Sequence, residues 1–129
     1  MDFNLIREYL VSDLKIQSLV GDNIFLVDRP EKCKCDDYIT YNPKELGNVG
    51  YKVKKYQLDF RIISKDKLKL LAIKQRLIEL LDHSDRATRI SSGSSDKVYI
   101  YTMRLINGGG ITKADNGDYY AFLYFFAIM

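Results

Sequence analysis

The sequence predicts an α+β fold, an antiparallel sheet of about four to five strands with two helices packed on one face. Three observations predict it. Apolar residues recur at helical spacing in two stretches, near residues 2–19 and 66–81, and they alternate strictly with polar residues over 56–62. The last stretch, 119–128, is apolar throughout and too short for a helix that crosses a bilayer, which takes about 20 residues. A chain of 129 residues suits one domain spanning residues 1–129, and 47% hydrophobic with 29% charged residues excludes a largely disordered polymer.

In the first helix Ile6, Leu10 and Leu14 form the apolar stripe, with Arg7, Glu8 and Asp13 between them. Asp2 or Asn4 is placed to cap its start, and Gly21 is placed to stop it in a left-handed conformation. A short strand over 24–27 follows, then a polar stretch over 31–37, then a second short strand at Tyr38-Ile39-Thr40-Tyr41. Asn42-Pro43, Gly47 and Gly50 interrupt any pattern, so residues 42–53 are expected to form a mobile connection. Beyond it, Tyr56, Leu58, Phe60 and Ile62 alternate with Lys55, Gln57, Asp59 and Arg61, the mark of a strand with one buried and one wet face.

Ser64, Lys65 and Asp66 precede the second helix, in which Leu70, Ile73, Leu77 and Leu80 line the apolar stripe and Lys67, Lys69, Gln75, Arg76, Glu79 and Asp82 take the other side. The helix is expected to end over 83–88, with 91–95 an exposed loop. Residues 98–106 read as one further strand. Gly108-Gly109-Gly110 and Asn116-Gly117-Asp118 then bracket a long connection to the last strand.

That last strand carries the functional information. One side presents Tyr120, Phe122, Tyr124, Phe126 and Ile128, and the other Tyr119, Ala121, Leu123, Phe125 and Ala127. A sheet with helices on one side only should show polar residues on its other side, so a second apolar row needs a cover, and another subunit is the economical one. Tyr99, Tyr101, Met103 and Leu105 add a neighbouring apolar row, and together the two rows would expose several hundred Å², the size of an interaction surface. Tyr99, Tyr101, Tyr120, Phe122, Tyr124 and Phe126 are therefore the expected subunit interface.

Catalytic chemistry finds little support. His83 is the only histidine, and it falls where a helix ends, so neither a serine nor a cysteine has an evident base. The triple glycine lacks the lysine-serine pair and the strand-to-helix turn of a phosphate cradle. Asp36-Asp37 and the acidic pair around Asn116-Gly117 read as turn residues rather than a calcium loop. Cys33 and Cys35, one residue apart, are expected to be free thiols, and zinc would need more ligands than they and His83 offer. No enzyme, cofactor or metal is expected. The opening Met-Asp-Phe-Asn-Leu-Ile-Arg-Glu does not read as a signal peptide, which predicts a cytosolic protein.

A net charge of +3 and a pI near 8.8 lie below the pI above about 9 of dedicated nucleic-acid-binding domains. Lys52, Lys54, Lys55, Lys65, Lys67 and Lys69 do form a basic cluster beside Tyr51 and Tyr56. A nucleic-acid-binding module that stacks bases on sheet aromatics is accordingly the alternative from another class.

Several segments in one order resemble the tail terminator (tail completion) family of long-tailed bacteriophages and prophages. They are Leu19-Val20-Gly21-Asp22-Asn23-Ile24-Phe25, Tyr38-Ile39-Thr40-Tyr41, the alternating strand to Ile63, Leu77-Ile78-Glu79-Leu80-Leu81, and Asp115-Asn116-Gly117-Asp118-Tyr119-Tyr120. The likeness runs over nearly the whole chain, but Cys33-Lys34-Cys35 and the triple glycine have no counterpart in it. The resemblance implies a hexameric ring that sits on the last ring of the tail tube, stops its growth and meets the head connector. It implies as partners other copies of the chain, the tail-tube protein and head-neck proteins, with no membrane, no specific nucleic acid and no catalytic residue. It places assembly in the host bacterial cytoplasm and the product in the virion tail. Loops 42–53 and 107–118 would then touch tube or neck, with Asn48, Tyr51, Lys52, Gly109 and Lys113 as contact residues. Another neck protein, of the head-closure or head-tail joining kind, is the alternative within the same class.

Overall fold

A computed structural model describes residues 3–50, 53–82, 88–91, 97–100 and 102–128. The first helical stretch is two helices, α1 (Asn4–Val11) and α2 (Leu14–Val20), rather than one. Asp13 breaks it: its backbone turns extended (φ −77, ψ 125) and its carboxylate accepts the Ile16 N–H at 3.0 Å, capping α2. The break rotates the second helix. Leu14, expected in the buried stripe, is 85% exposed, and Ile16 and Val20 are buried instead. Gly21 ends α2 with φ +60, the stop its position suggested.

Strand β1 (Ile24–Leu26) pairs in parallel with β2 (Tyr38–Gly50), Ile24 opposite Ile39, so the sheet is mixed and not wholly antiparallel. The connection between them returns the chain to the start of the sheet, which makes the two strands run the same way. It also carries a correction. Cys33 and Cys35 are not free thiols but a disulfide, their Cα atoms 5.4 Å apart and inside the span of about 4.4–6.8 Å that a disulfide bridges.

The expected mobile connection over 42–53 is instead most of a long hairpin, since β2 runs through it and pairs antiparallel with β3 (Val53–Ser64). Pro43 does not interrupt the ladder, for a geometric reason. The Tyr41 carbonyl accepts from Val27 N–H on the β1 side, so Pro43, two residues on, turns its missing N–H to the same side, where β1 has already ended. Past Tyr41 that edge of β2 has no strand beside it among the described residues, and the register slips at Glu45/Gly47 and at Asn48/Gly50.

Helix α3 (Lys67–Leu81) is capped by Asp66, whose side chain accepts Leu68 N–H at 2.9 Å. Strands β4 (Thr88–Ser91) and β5 (Lys97–Ile100) form a small sheet of their own. Ser91, expected in a loop, therefore ends a strand. The single strand expected over 98–106 is divided, because only β6 (Thr102–Asn107) joins the main sheet. Strand β7 (Thr112–Lys113) and β8 (Tyr119–Ile128) close a hairpin through Asn116, whose side chain accepts Asp118 N–H, and Gly117 at φ +92. The main sheet runs β1-β2-β3-β8-β6, with β7 also on β8.

Both helical units lie on one face of this sheet, as the sequence predicts. Leu5, Ile6 and Leu10 of α1, Ile16 and Val20 of α2, and Leu70, Ile73, Leu77 and Leu81 of α3 share a core with Ile39, Tyr41, Leu58, Phe60, Ile62, Leu123 and Phe125. At its centre Phe60 meets Phe125 edge-on at 5.5 Å and stacks on Tyr41 at 5.9 Å. The buried Tyr41 hydroxyl donates to the Phe3 carbonyl at 2.8 Å, which satisfies its polar end.

Two ion pairs fasten the helix layer. Arg76 of α3 forks onto both Asp13 oxygens, at 2.6 and 3.0 Å, so the residue that caps α2 also ties it to α3. Asp37, beside β2, accepts from Ser64 and from Lys69 of α3 at 2.7 Å. The Arg76 hydrogen bond holds the Asp13 carboxyl below the usual carboxylate range, and it outweighs partial burial. For Asp37 burial opposes ionisation, but the bonds from Lys69 and Ser64 prevail and its pKa is also lowered.

Two expected results follow. Asp13→Ala removes the cap and the ion pair together and should lower stability by about 1–2 kcal/mol in denaturant titration, whereas Asp13→Asn, which can still cap, should lose less. Because both carboxylates have folded-state pKa values below their unfolded ones, their contribution is present above about pH 4 and is lost as pH falls through the folded values. The melting temperature should therefore drop on acidification below about pH 4, and the drop should shrink in Asp13→Asn and Asp37→Asn. A melting temperature flat down to about pH 2.5 would contradict this account of the two pairs.

Candidate assembly surface

Strand β8 sends its two rows of side chains to opposite sides of the sheet. Ala121, Leu123, Phe125 and Ala127 have no exposed surface and belong to the core under the helices. Tyr120, Phe122, Tyr124, Phe126 and Ile128 lie on the other face. They are half-buried, except Phe122, which is 37% exposed. Tyr120 meets Phe122 edge-on at 5.8 Å, and Phe122 stacks nearly parallel on Tyr124 at 6.2 Å, so the row is an ordered aromatic ladder.

Its neighbours across the strands are polar. Arg61, Asp59 and Gln57 of β3 stand opposite Phe122, Tyr124 and Phe126, while the Arg104 guanidinium of β6 sits 5.1 Å from the centre of the Phe126 ring. Between Phe122, Tyr124, Asp59 and Arg61 on one side and Thr40, Asn42 and Val27 on the other lies a hollow of about 190 Å³. Val27 enters it from an unusual backbone, with φ +69, anchored by its N–H to the Tyr41 carbonyl at 2.8 Å.

The structure separates the remaining residues that the sequence suggested. Tyr99 is in β5, opposite Arg89 in the small sheet, so it does not extend the ladder, and Tyr101 lies outside the described residues. Met103, expected in the same row, stands opposite Ala127 and is buried in the core. The joint patch of two adjacent two-faced strands is therefore corrected to one two-faced strand.

Asn48 is exposed on the hairpin opposite Lys54, while Tyr51 and Lys52 lie outside the described residues. Gly109 is held down: Lys74 of α3 donates to its carbonyl, and a Cβ on it would stand 3.0 Å from the Phe122 carbonyl oxygen. Lys113 is exposed on β7, with its ammonium 5.8 Å from the Tyr119 ring centre. His83 is outside the described residues. Arg61, Asp59 and Arg104 were visible in the sequence only as polar positions; pairing register alone puts them beside the aromatic row.

Three lysines of the basic cluster have acidic partners, Lys54 with Glu45 at 3.3 Å, Lys65 with Asp36 at 3.3 Å and Lys69 with Asp37 at 2.7 Å. Among the described residues no three His, Cys, Asp or Glu side chains are grouped to hold a metal ion, and no helix is long and apolar enough to cross a membrane.

No family model and no curated protein matches the sequence. Among solved structures, a chain of the virion of a native gene transfer agent (GTA) particle superposes with a TM-score of 0.71 over 95% of this chain and 90% of that one, at 11% identity. The two chains share a fold. The shared architecture spans the helix layer and the sheet that carries the ladder, so the surface sits on a scaffold that a virion component also uses.

Proposed function

We propose that this chain is a structural subunit of a phage-like virion, one that caps the end of the tail tube as a six-membered ring, stops the tube from growing and joins tail to head. The observation that carries the proposal is the Tyr120–Phe122–Tyr124–Phe126 row, an aromatic ladder on the sheet face away from the helix layer, on a fold shared with a virion chain. The place at the tube end and the copy number come from the sequence resemblance to tail terminators. In this reading the ladder makes subunit contacts, Asn48, Tyr51, Lys52, Gly109 and Lys113 face tube or neck, and no side chain does covalent chemistry.

Deleting the reading frame from the genome that encodes it tests the role. Tails of uncontrolled length and heads without tails are expected. Particles with tails of normal, uniform length joined to heads would overturn it.

A second reading has one observation in its favour. Arg61 and Arg104 stand among the exposed aromatics, as in sheets that stack single-stranded nucleic acid. It requires single-strand binding that weakens steeply with salt, whereas ring formation through an apolar row does not.

A further inference from the structure

We infer that the ladder of one copy is covered by the helix layer of the next, with Phe122 and Tyr124 seated in the groove between the neighbour's α2 and α3. The inference rests on the ring reading and names the two surfaces that meet in it.

A sheet with helices on one side finds its second cover most readily in another helix layer. The outer side of this chain's own helix layer has the required character. Helix α3 turns Leu70, Ile73 and Leu77 inward, yet Leu68 and Leu71 on its outer side are 69% and 39% exposed. Leu68 and Ala72, four residues apart, are neighbours on the helix surface, and Ala72 lines a groove of about 310 Å³ with Leu19 of α2 opposite. Leu68, Leu71 and Ala72 thus form an apolar strip beside a groove with polar walls, lined also by Lys15, Ser18, Gln75, Arg76 and Glu79, on the face of the molecule opposite the ladder.

The charges match as well. Lys15 and Glu79 stand on the two walls of the groove, while Asp59 and Arg61 flank Tyr124 and Phe122 on the sheet. Asp59 and Arg61 stand two residues apart along β3, so setting Lys15 against Asp59 and Glu79 against Arg61 pairs opposite signs along that side of the inserted rings. Arg76, fixed by Asp13 and Glu79, lines the same groove and offers a guanidinium to an aromatic face. Because the two surfaces lie on opposite faces of one body, neither can cover the other within a chain. The contact is head-to-tail, which closes into a ring when its rotation allows.

The test uses the full chain with Cys33→Ser and Cys35→Ser, so that the native disulfide cannot exchange with the introduced thiols. Ser18→Cys and Gln57→Cys together, placed beside the seated rings and not in them, should give covalent multimers up to the ring on mild oxidation, and neither alone should. Separately, Lys15→Glu and Asp59→Lys should each weaken self-association at least about tenfold by light scattering, and the two together should restore it. Rings that form in the parent protein without any bond between positions 18 and 57, and without charge-swap rescue, would overturn this inference and leave the ring reading standing. A parent protein that stays monomeric even on tail tubes would overturn both.

Discussion

Replacing Phe122 with aspartate is expected to leave the fold intact and to abolish the self-association proposed above. Phe122 is 37% exposed on the face away from the helices, so folding loses less when it goes than when a core phenylalanine does. Association loses much. Burying a phenylalanine side chain contributes about 1.5–3 kcal/mol, and a carboxylate forced into the same contact costs further desolvation. At about 1.4 kcal/mol per tenfold, each contact in the proposed ring should weaken by at least about tenfold. The measurement is solution mass across concentration beside thermal melting. A Phe122→Asp protein that keeps the parental mass would remove the ladder from the assembly account.

Phe125, three residues along the same strand and on the other face, should behave in the opposite way. It has no exposed surface, and its ring meets Phe60 edge-on at the centre of the core. Phe125→Ala should cost about 3–5 kcal/mol of stability from lost transfer energy and the cavity left behind. Against a total of about 5–15 kcal/mol for a domain of ordinary size, that would bring many such proteins close to unfolding. Denaturant titration should show a much lower midpoint with a similar slope. If alanine at 125 and aspartate at 122 destabilise the fold equally, the assignment of one row to the core and the other to the exterior is wrong.

The contrast between these two positions is legible in the sequence, because a strand apolar on both sides cannot place both rows under one helix layer. The helix over Lys67–Leu81 and the alternating strand at Tyr56–Ile62 were legible for the same reason: burial on one side imposes a period. The features that escaped depend on pairing across the sequence. Asn42-Pro43 and two glycines look like a loop to any local reading, and only the point where β1 stops makes Pro43 harmless within a strand. The parallel direction of β1 is likewise set by how the chain returns.

The helix break at Asp13 was hidden because Leu14 continued the stripe. What outweighed that leucine was an N-cap with an arginine from 63 residues away. Residues 98–106 read as one strand because local propensity cannot tell which sheet each half will join. Arg61, Asp59 and Arg104 became part of the candidate site only through register, which composition does not encode.

The outer edge of β2 past Tyr41 has a consequence for making many copies of one sticky protein in a crowded cell. Unpaired strand edges are templates for fibrils, and a chain with an aromatic face beside such an edge is exposed to that fate during synthesis. Here a proline removes a donor and two bulges bend the ladder out of flatness, so an arriving strand finds neither the hydrogen-bond spacing nor the plane it needs. An edge built in this way is a poor template for fibril growth.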